Sequence, residues 1–359
     1  ITPPKKLVLP DPNKQPTAVI DQLIHSKWQA EKIAPARRSS DATFVRRVYL
    51  DLLGRIPRLP EINSFLADQN PKKRDLLVDH LTDTDDHADH LAQVFNIVFL
   101  DRAHLRKRSH SNRKLWLDYL RWAFKTNRPW DQIGHDLVLA RPKSDQERGA
   151  SWFIHDQRDD HSQIATRVSR TLLGKQVQCA QCHDHPVAPE IEQRHYWGLV
   201  AFFNRSLNVK TPEGPRVAER ASGGYDKFAN LEGKADESQL ILYSNKIITE
   251  TGGKKNNDSA ELYSVGPPKQ WLRKLKKDEK LKKDLPNLPV PKFSRREAFA
   301  QSFTSENPDF SRAIVNRLWA LMFGRGLVHP VDLMDSAHPS SHPELLAWLA
   351  RDFSNHQYN

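Results

Sequence analysis

The chain has 359 residues, of which 38% are hydrophobic and 28% charged, the balance of a soluble globular protein with room for two or three cores. No apolar run approaches the ~20 residues that cross a bilayer, and two cysteines three positions apart exclude a long-range disulfide framework. The net charge of +11 suits an acidic partner, but no zinc finger or aromatic recognition platform accompanies it, so nucleic acid is not expected.

Residues 1–16 are rich in Pro and Lys and predict an extended lead-in. The chain opens on Ile1 rather than Met and carries no secretory pattern, as expected of a mature or trimmed chain. Helical spacing begins with Val19, Leu23 and Ile24. Asp41 is the expected cap of a second helix, in which Phe44, Val45, Val48, Leu52 and Leu53 recur at helical intervals up to Gly54. Pro60-Glu61 starts a third helix. Others are predicted near 71–82, 87–101, 111–126 and 130–140, with Trp116, Leu117, Leu120, Trp122 and Ala123 as core. Residues 159–178 predict an amphipathic helix with Ile164, Val168 and Leu172 as its stripe. Tyr196 to Phe203 is an apolar helix or strand.

Helical periodicity fades from 207. Gln239 to Tyr243 and Lys246 to Thr249 look like short strands, and Gly252 to Asp258 like a turn or mobile loop. Lys269 to Lys283 is a basic run read as a solvated amphipathic helix, and Pro286 to Pro291 as a linker. Ser294 to Glu297 resembles a capping box, Phe310 to Phe323 a buried helix, and Pro343 to Phe353 another. The expected fold is mainly α. Its parts are the lead-in at 1–16, a helical domain at 17–206, a β-containing insertion and basic linker at 207–293, and a C-terminal helical segment at 294–359 packed on the helical domain.

Cys179-Ala180-Gln181-Cys182-His183 accounts for both cysteines. In a Cys-x-x-Cys-His site each thiol adds across one heme vinyl group. The sulfur–carbon bond forms on one vinyl carbon, the thiol proton goes to the other, and the adjacent imidazole ligates iron. A zinc site using Cys179, Cys182 and His183 or His185 is a rival, although structural zinc usually wants a second ligand pair. A thioredoxin-like redox pair lacks its βαβ context, and an inert or oxidised pair is the bland alternative.

The segment Thr171 to Pro186, ending in Cys179-Ala180-Gln181-Cys182-His183-Asp184-His185-Pro186, resembles the signature of planctomycete-type cytochrome c proteins, which pair two domains of unknown function. Phe44 to Pro57 is similar to the opening of the first domain. Asn307 to Ala320, Phe323 to Val328 and His342 to Leu346 are similar to the second. The resemblance covers most of 41–206 and 294–359 and is weak over 207–293. It departs in having Pro186-Val187 where relatives often have Pro-Phe, and the second domain normally runs beyond the equivalent of Asn359, so a truncated chain is expected. The resemblance implies an exported, periplasmic protein with one heme c, frequently encoded beside sulfatases and polysaccharide-degrading enzymes. It supplies no reaction.

His183 is the expected proximal ligand. Met334, Met322, His155, His161, His195 and His329 are the candidate distal ligands, which decide potential and access. Met322 also reads simply as core packing. His185 lies too close in sequence to reach the opposite face and suits a contact to a propionate or a substrate. Arg167, Arg170, Lys175 and Arg194 are candidate propionate partners, Trp197 a candidate wall of the macrocycle, and Asp184 a surface residue or an orienter of imidazole. Three functions follow. The first is periplasmic electron transfer or redox relay with a partner protein. The second is a heme enzyme acting on an extracellular substrate such as a polysaccharide. The third is a structural module holding zinc or heme that binds acidic or sulfated glycans.

Overall fold

A computed structural model of the chain describes residues 15–101, 110–211, 214–230, 233–250, 257–266, 288–305 and 307–359. The basic run Lys269 to Lys283, nearly all of the lead-in, most of the expected loop at Gly252 to Asp258 and the first two residues of the linker at Pro286 to Pro291 lie outside the described residues. No described helix is long and apolar enough to cross a membrane.

The fold is mainly α. Among the described residues, ten helices precede the insertion: α1 (Pro16–Glu31), α2 (Asp41–Leu53), α3 (Leu59–Ala67), α4 (Lys73–Thr82), α5 (Asp85–Leu100), α6 (His110–Lys125), α7 (Trp130–Leu139), the single turn α8 (Trp152–His155), α9 (His161–Leu172) and α10 (Gln193–Phe203). Three follow it: α11 (Arg295–Ser305), α12 (Pro308–Phe323) and α13 (Pro343–Asn355).

Local chemistry sets most of these ends. Ser40, not Asp41, caps α2 by accepting from the Thr43 amide, while Asp41 is the first helical residue and pairs with Lys73 and Arg74. Gly54 ends that helix at φ +67, and a Cβ there would lie 2.3 Å from the His90 ring. Ser294 Oγ accepts from the Glu297 amide at 3.1 Å, as the capping-box pattern predicts.

Among the described residues, the insertion holds three antiparallel pairs: β1 (Ser206–Thr211) with β2 (Gly214–Glu219), β3 (Lys227–Ala229) with β4 (Ala235–Glu237), and β5 (Tyr263–Val265) with β6 (Val290–Pro291). The strands expected at 239–243 and 246–249 reduce to one bridge, Ile241 to Ile247. Leu240 and Leu242 are nonetheless buried in the main core, so their apolar pattern reports burial rather than pairing.

One large core runs from α5 through α13 and takes in Val217, Leu240 and Leu242 from the insertion. A smaller core, with Val45, Tyr49, Leu52, Phe65 and Leu81, joins α2, α3 and α4. The C-terminal segment packs on the helical domain through aromatic rings: Phe299 on Phe202 with centroids 4.9 Å apart, and Phe310 on Trp130 at 6.3 Å. A buried ionic cluster ties the same parts together. Glu219 pairs with Arg141 at 2.6 Å and Arg296 at 3.5 Å, and Glu250 with Arg205 at 3.2 Å and Arg295 at 2.7 Å. The last turn of α12 departs from the expected buried helix, since Leu321, Met322 and Phe323 are exposed.

Candidate functional site

The expected helix at 159–178 stops at Leu172. Gly174 then turns the chain at φ +66, and Ser169 closes the reversal by donating from Oγ to the Lys175 carbonyl at 2.8 Å and accepting the Lys175 amide at its own carbonyl at 3.1 Å. A Cβ at Gly174 would stand 2.7 Å from Met334 Sδ, so this position requires glycine on two counts. The chain next forms a short 3-10 helix, Gln178–Gln181. Cys179 lies within it, and Cys182 is the residue that follows its last turn. Ala180 between them is buried, and both cysteines are free and exposed.

His183 is half-buried, and its Nδ1 contacts the Asp184 carbonyl oxygen at 2.6 Å. A carbonyl can only accept, so the neutral ring carries its proton on Nδ1 and keeps the Nε2 lone pair, the form that ligates a metal. His185 has the opposite arrangement. Its Nδ1 accepts from the Ala188 amide at 3.1 Å, leaving the proton of the neutral ring on Nε2. It fits a donor to an acid oxygen rather than a ligand.

The first turns of α10 hold this loop. Asp184 Oδ1 accepts from the Gln193 amide at 2.8 Å, and Gln193 Nε2 donates to the carbonyls of Gln181 at 3.2 Å and Ala229 at 3.0 Å. Trp197 Nε1 also donates to the Gln181 carbonyl, at 3.1 Å. The Trp197 ring stacks on Phe228 with centroids 5.8 Å apart and meets Tyr196 edge-on at 5.3 Å. Burial pushes the Tyr196 phenol above its ordinary pKa, with the charges of Asp160 and Cys182 adding to the effect. An aromatic wall thus flanks the cysteines, and β3 supplies part of it.

A second grip comes from the C-terminal segment. Met334 donates its amide to the Gly174 carbonyl at 2.8 Å, and Lys175 Nζ reaches the Met334 carbonyl at 2.7 Å and Asp309 at 3.3 Å. Beyond the cysteines, Glu190 accepts from the Ser336 amide at 2.7 Å and from its hydroxyl at 2.6 Å.

The structure brings two of the six distal candidates to the elements that hold this loop. Met334 is 5% exposed with its sulfur laid over Gly174. His195, on α10, has both ring nitrogens engaged: Nδ1 accepts from the Glu192 amide, and Nε2 donates to Asn245 Oδ1 at 2.9 Å. His161 Nε2 donates to the Ser206 carbonyl at 3.0 Å, and His155 stacks on Trp152 at 5.5 Å. His329 is exposed, and Met322 is 54% exposed at the end of α12, which corrects its reading as core.

The expected propionate partners are differently placed. Arg167 is buried on the Phe153 carbonyl and Asp156, and Lys175 is buried as described. Arg170 faces Asp101 at 3.6 Å, and Arg194 pairs with Glu192 at 2.8 Å on the exposed side of α10. Among the described residues, no three His, Cys, Asp or Glu side chains converge as a ready metal cluster. Two clefts lie elsewhere. One of about 470 Å³ is lined by Phe303, Asn307, Arg312, Ala347, Arg351 and Tyr358, and one of about 350 Å³ by residues around His135 and Asp136.

A family model described as a protein of unknown function (DUF1549), PSCyt2, matches residues 19–208. A second, described as a protein of unknown function (DUF1553), PSD1, matches residues 295–359. No curated protein and no solved structure matches the chain. The cysteines and α10 fall in the first match, while Met334 and Ser336 fall in the second.

Proposed function

The chain belongs to the DUF1549 family of proteins of unknown function, and from that premise we propose that Cys179, Cys182 and His183 hold one covalent heme c in an exported, periplasmic electron-transfer or redox-relay protein. The observation that carries the reading is the state of His183. Its Nδ1–H is spent on the Asp184 carbonyl, so Nε2 is left with a lone pair, and the residue before it in the chain is one of two free, exposed cysteines, Cys179 in the short 3-10 helix and Cys182 just past its end. Heme c would supply a one-electron iron couple there. The chain's own part is to present two exposed thiols, to orient the imidazole, and to flank them with Tyr196, Trp197 and Phe228. The exposure of the cysteines suits a heme edge open to a redox partner.

Expression of the chain in a host with a periplasmic cytochrome c maturation system tests this. The mass should rise by one heme, and an alkaline pyridine spectrum should give the c-type band. Cys179→Ser with Cys182→Ser should abolish both. An unmodified chain that carries zinc would overturn the reading in favour of a zinc module. A high-spin iron that binds cyanide or carbon monoxide would favour a heme enzyme acting on an extracellular substrate, and a low-spin iron indifferent to both would favour the relay.

A further inference from the structure

We infer that Asp184 is the positioning residue of His183, holding the carbonyl that orients the imidazole. This rests on the reading of His183 as iron ligand. The argument concerns one peptide unit. The Asp184 carbonyl oxygen takes the His183 Nδ1–H at 2.6 Å, and the other end of the same peptide plane, the His185 N–H, donates to the Ile191 carbonyl at 2.9 Å. A peptide group is planar, so a plane fixed at its N–H end leaves its C=O little freedom to swing. The Asp184 side chain fixes the adjoining Cα, because its Oδ1 accepts the amide of Gln193, the first residue of α10, at 2.8 Å. A carboxylate is favoured there twice, by the orphan amides of the first turn and by the positive end of the helix dipole. Gln193 then reaches back to the carbonyl of Gln181 inside the Cys-x-x-Cys spacer. The imidazole is therefore set by a helix end acting through a backbone carbonyl, without a side-chain acceptor on the ring.

The chemistry follows from the Nδ1 bond. An acceptor held on Nδ1–H makes Nε2 more electron-rich and fixes the ring plane, both of which favour the ferric state of a coordinated iron. When the anchor is removed, the carbonyl can rotate and the ferric preference should weaken.

The test uses the full heme-loaded chain and reads the midpoint potential together with the low-temperature electron paramagnetic resonance spectrum. Asp184→Ala should raise the potential by about 59 mV, a tenfold change in the one-electron equilibrium, and should broaden the ferric signal. Asp184→Asn keeps an oxygen for the Gln193 amide and should restore both toward wild type. If Asp184→Ala does not fold, the pair Gln193→Ala and Gln193→Pro isolates the same bond. Proline is tolerated at the first helical position and differs from alanine there by lacking the amide, so only Gln193→Pro should shift the potential beyond its partner. A wild-type chain with heme whose potential and spectrum are unmoved by these variants would overturn the positioning role alone. A wild-type chain without heme would overturn the reading on which it rests.

Discussion

The motif Cys179 to His183 stands out in the sequence because its information is the spacing itself, and the chemistry proposed for it rests on that spacing. The roles of neighbouring residues were not, because they depend on which side of a helix is covered. Arg167, a candidate propionate partner, lies off the apolar stripe of α9, where a charged side chain ordinarily meets solvent, yet α9 is covered on that side too, and the guanidinium pairs with Asp156 at 3.1 Å. His195 was one of many histidines until α10 placed it. It is 1% exposed, and burial lowers its pKa below 6.5, only partly countered by its bond to Asn245. The charged form is disfavoured in the folded state, so the unfolded chain binds the extra proton. The stability this neutral ring contributes is present above pH 6.5 and is lost as pH falls through the depressed folded value. His90, His135 and His342 are lowered by burial in the same direction. The melting temperature should therefore drop on acidification below about pH 6.5. His195→Gln should reduce that slope by at most one proton, about 1.4 kcal/mol per pH unit. A pH–stability slope identical in the variant would show that His195 is not among the groups titrating.

At the scale of elements, the long helices were predictable from their 3.6-residue period, and their ends shifted where a single contact decided them. Gly174 illustrates this: the pattern of α9 runs on toward 178, but the chain must turn under Met334. The insertion was less legible. Its strands are two to six residues long and pair locally, so alternation has no length in which to appear. Its attachment to the rest lies in charges that composition would assign to the surface. Burial works against the charge of Glu219, yet Arg296 and Arg141 keep its carboxyl below the usual carboxylate range. The Ser294 hydroxyl and the Arg295 amide also donate to it, at 2.6 and 2.7 Å. Glu219→Gln leaves buried guanidinium groups without their countercharge. The expected loss is about 3–5 kcal/mol in denaturant unfolding. Asp118→Asn, which breaks the exposed pair with Lys114, should cost under about 1 kcal/mol. Equal costs for the two would mean that the Glu219 cluster relaxes or admits water.

At the scale of the whole molecule, two separately matched segments share one core and together build the loop that carries the cysteines. The first contributes α9, the 3-10 helix and α10, and the second closes on the loop from both sides, at Gly174 through Met334 and at Glu190 through Ser336. Sequence patterning could not reveal this, since residues 327–342 have no regular period and the loop partners of Met334 and Ser336 lie 146 residues or more away. The Glu190 contact is the more exposed of the two grips and can be cut without opening the core. Its carboxyl sits below its ordinary pKa: partial burial opposes the charge, but the hydroxyl and amide of Ser336 outweigh it. Stability from this contact is therefore present above pH 4.5 and is lost as pH falls through the lowered value. A double-mutant cycle of Glu190→Gln and Ser336→Ala at pH 7 should give a coupling of about 0.5–3 kcal/mol, toward the low end because the site is partly exposed. The coupling should shrink at pH 3.5, and protease cleavage of the 183–191 loop should quicken in each single variant. Additive effects at pH 7 with unchanged cleavage would mean that the second segment merely abuts the loop at Glu190, and that its hold on the loop is the one at Met334 and Lys175.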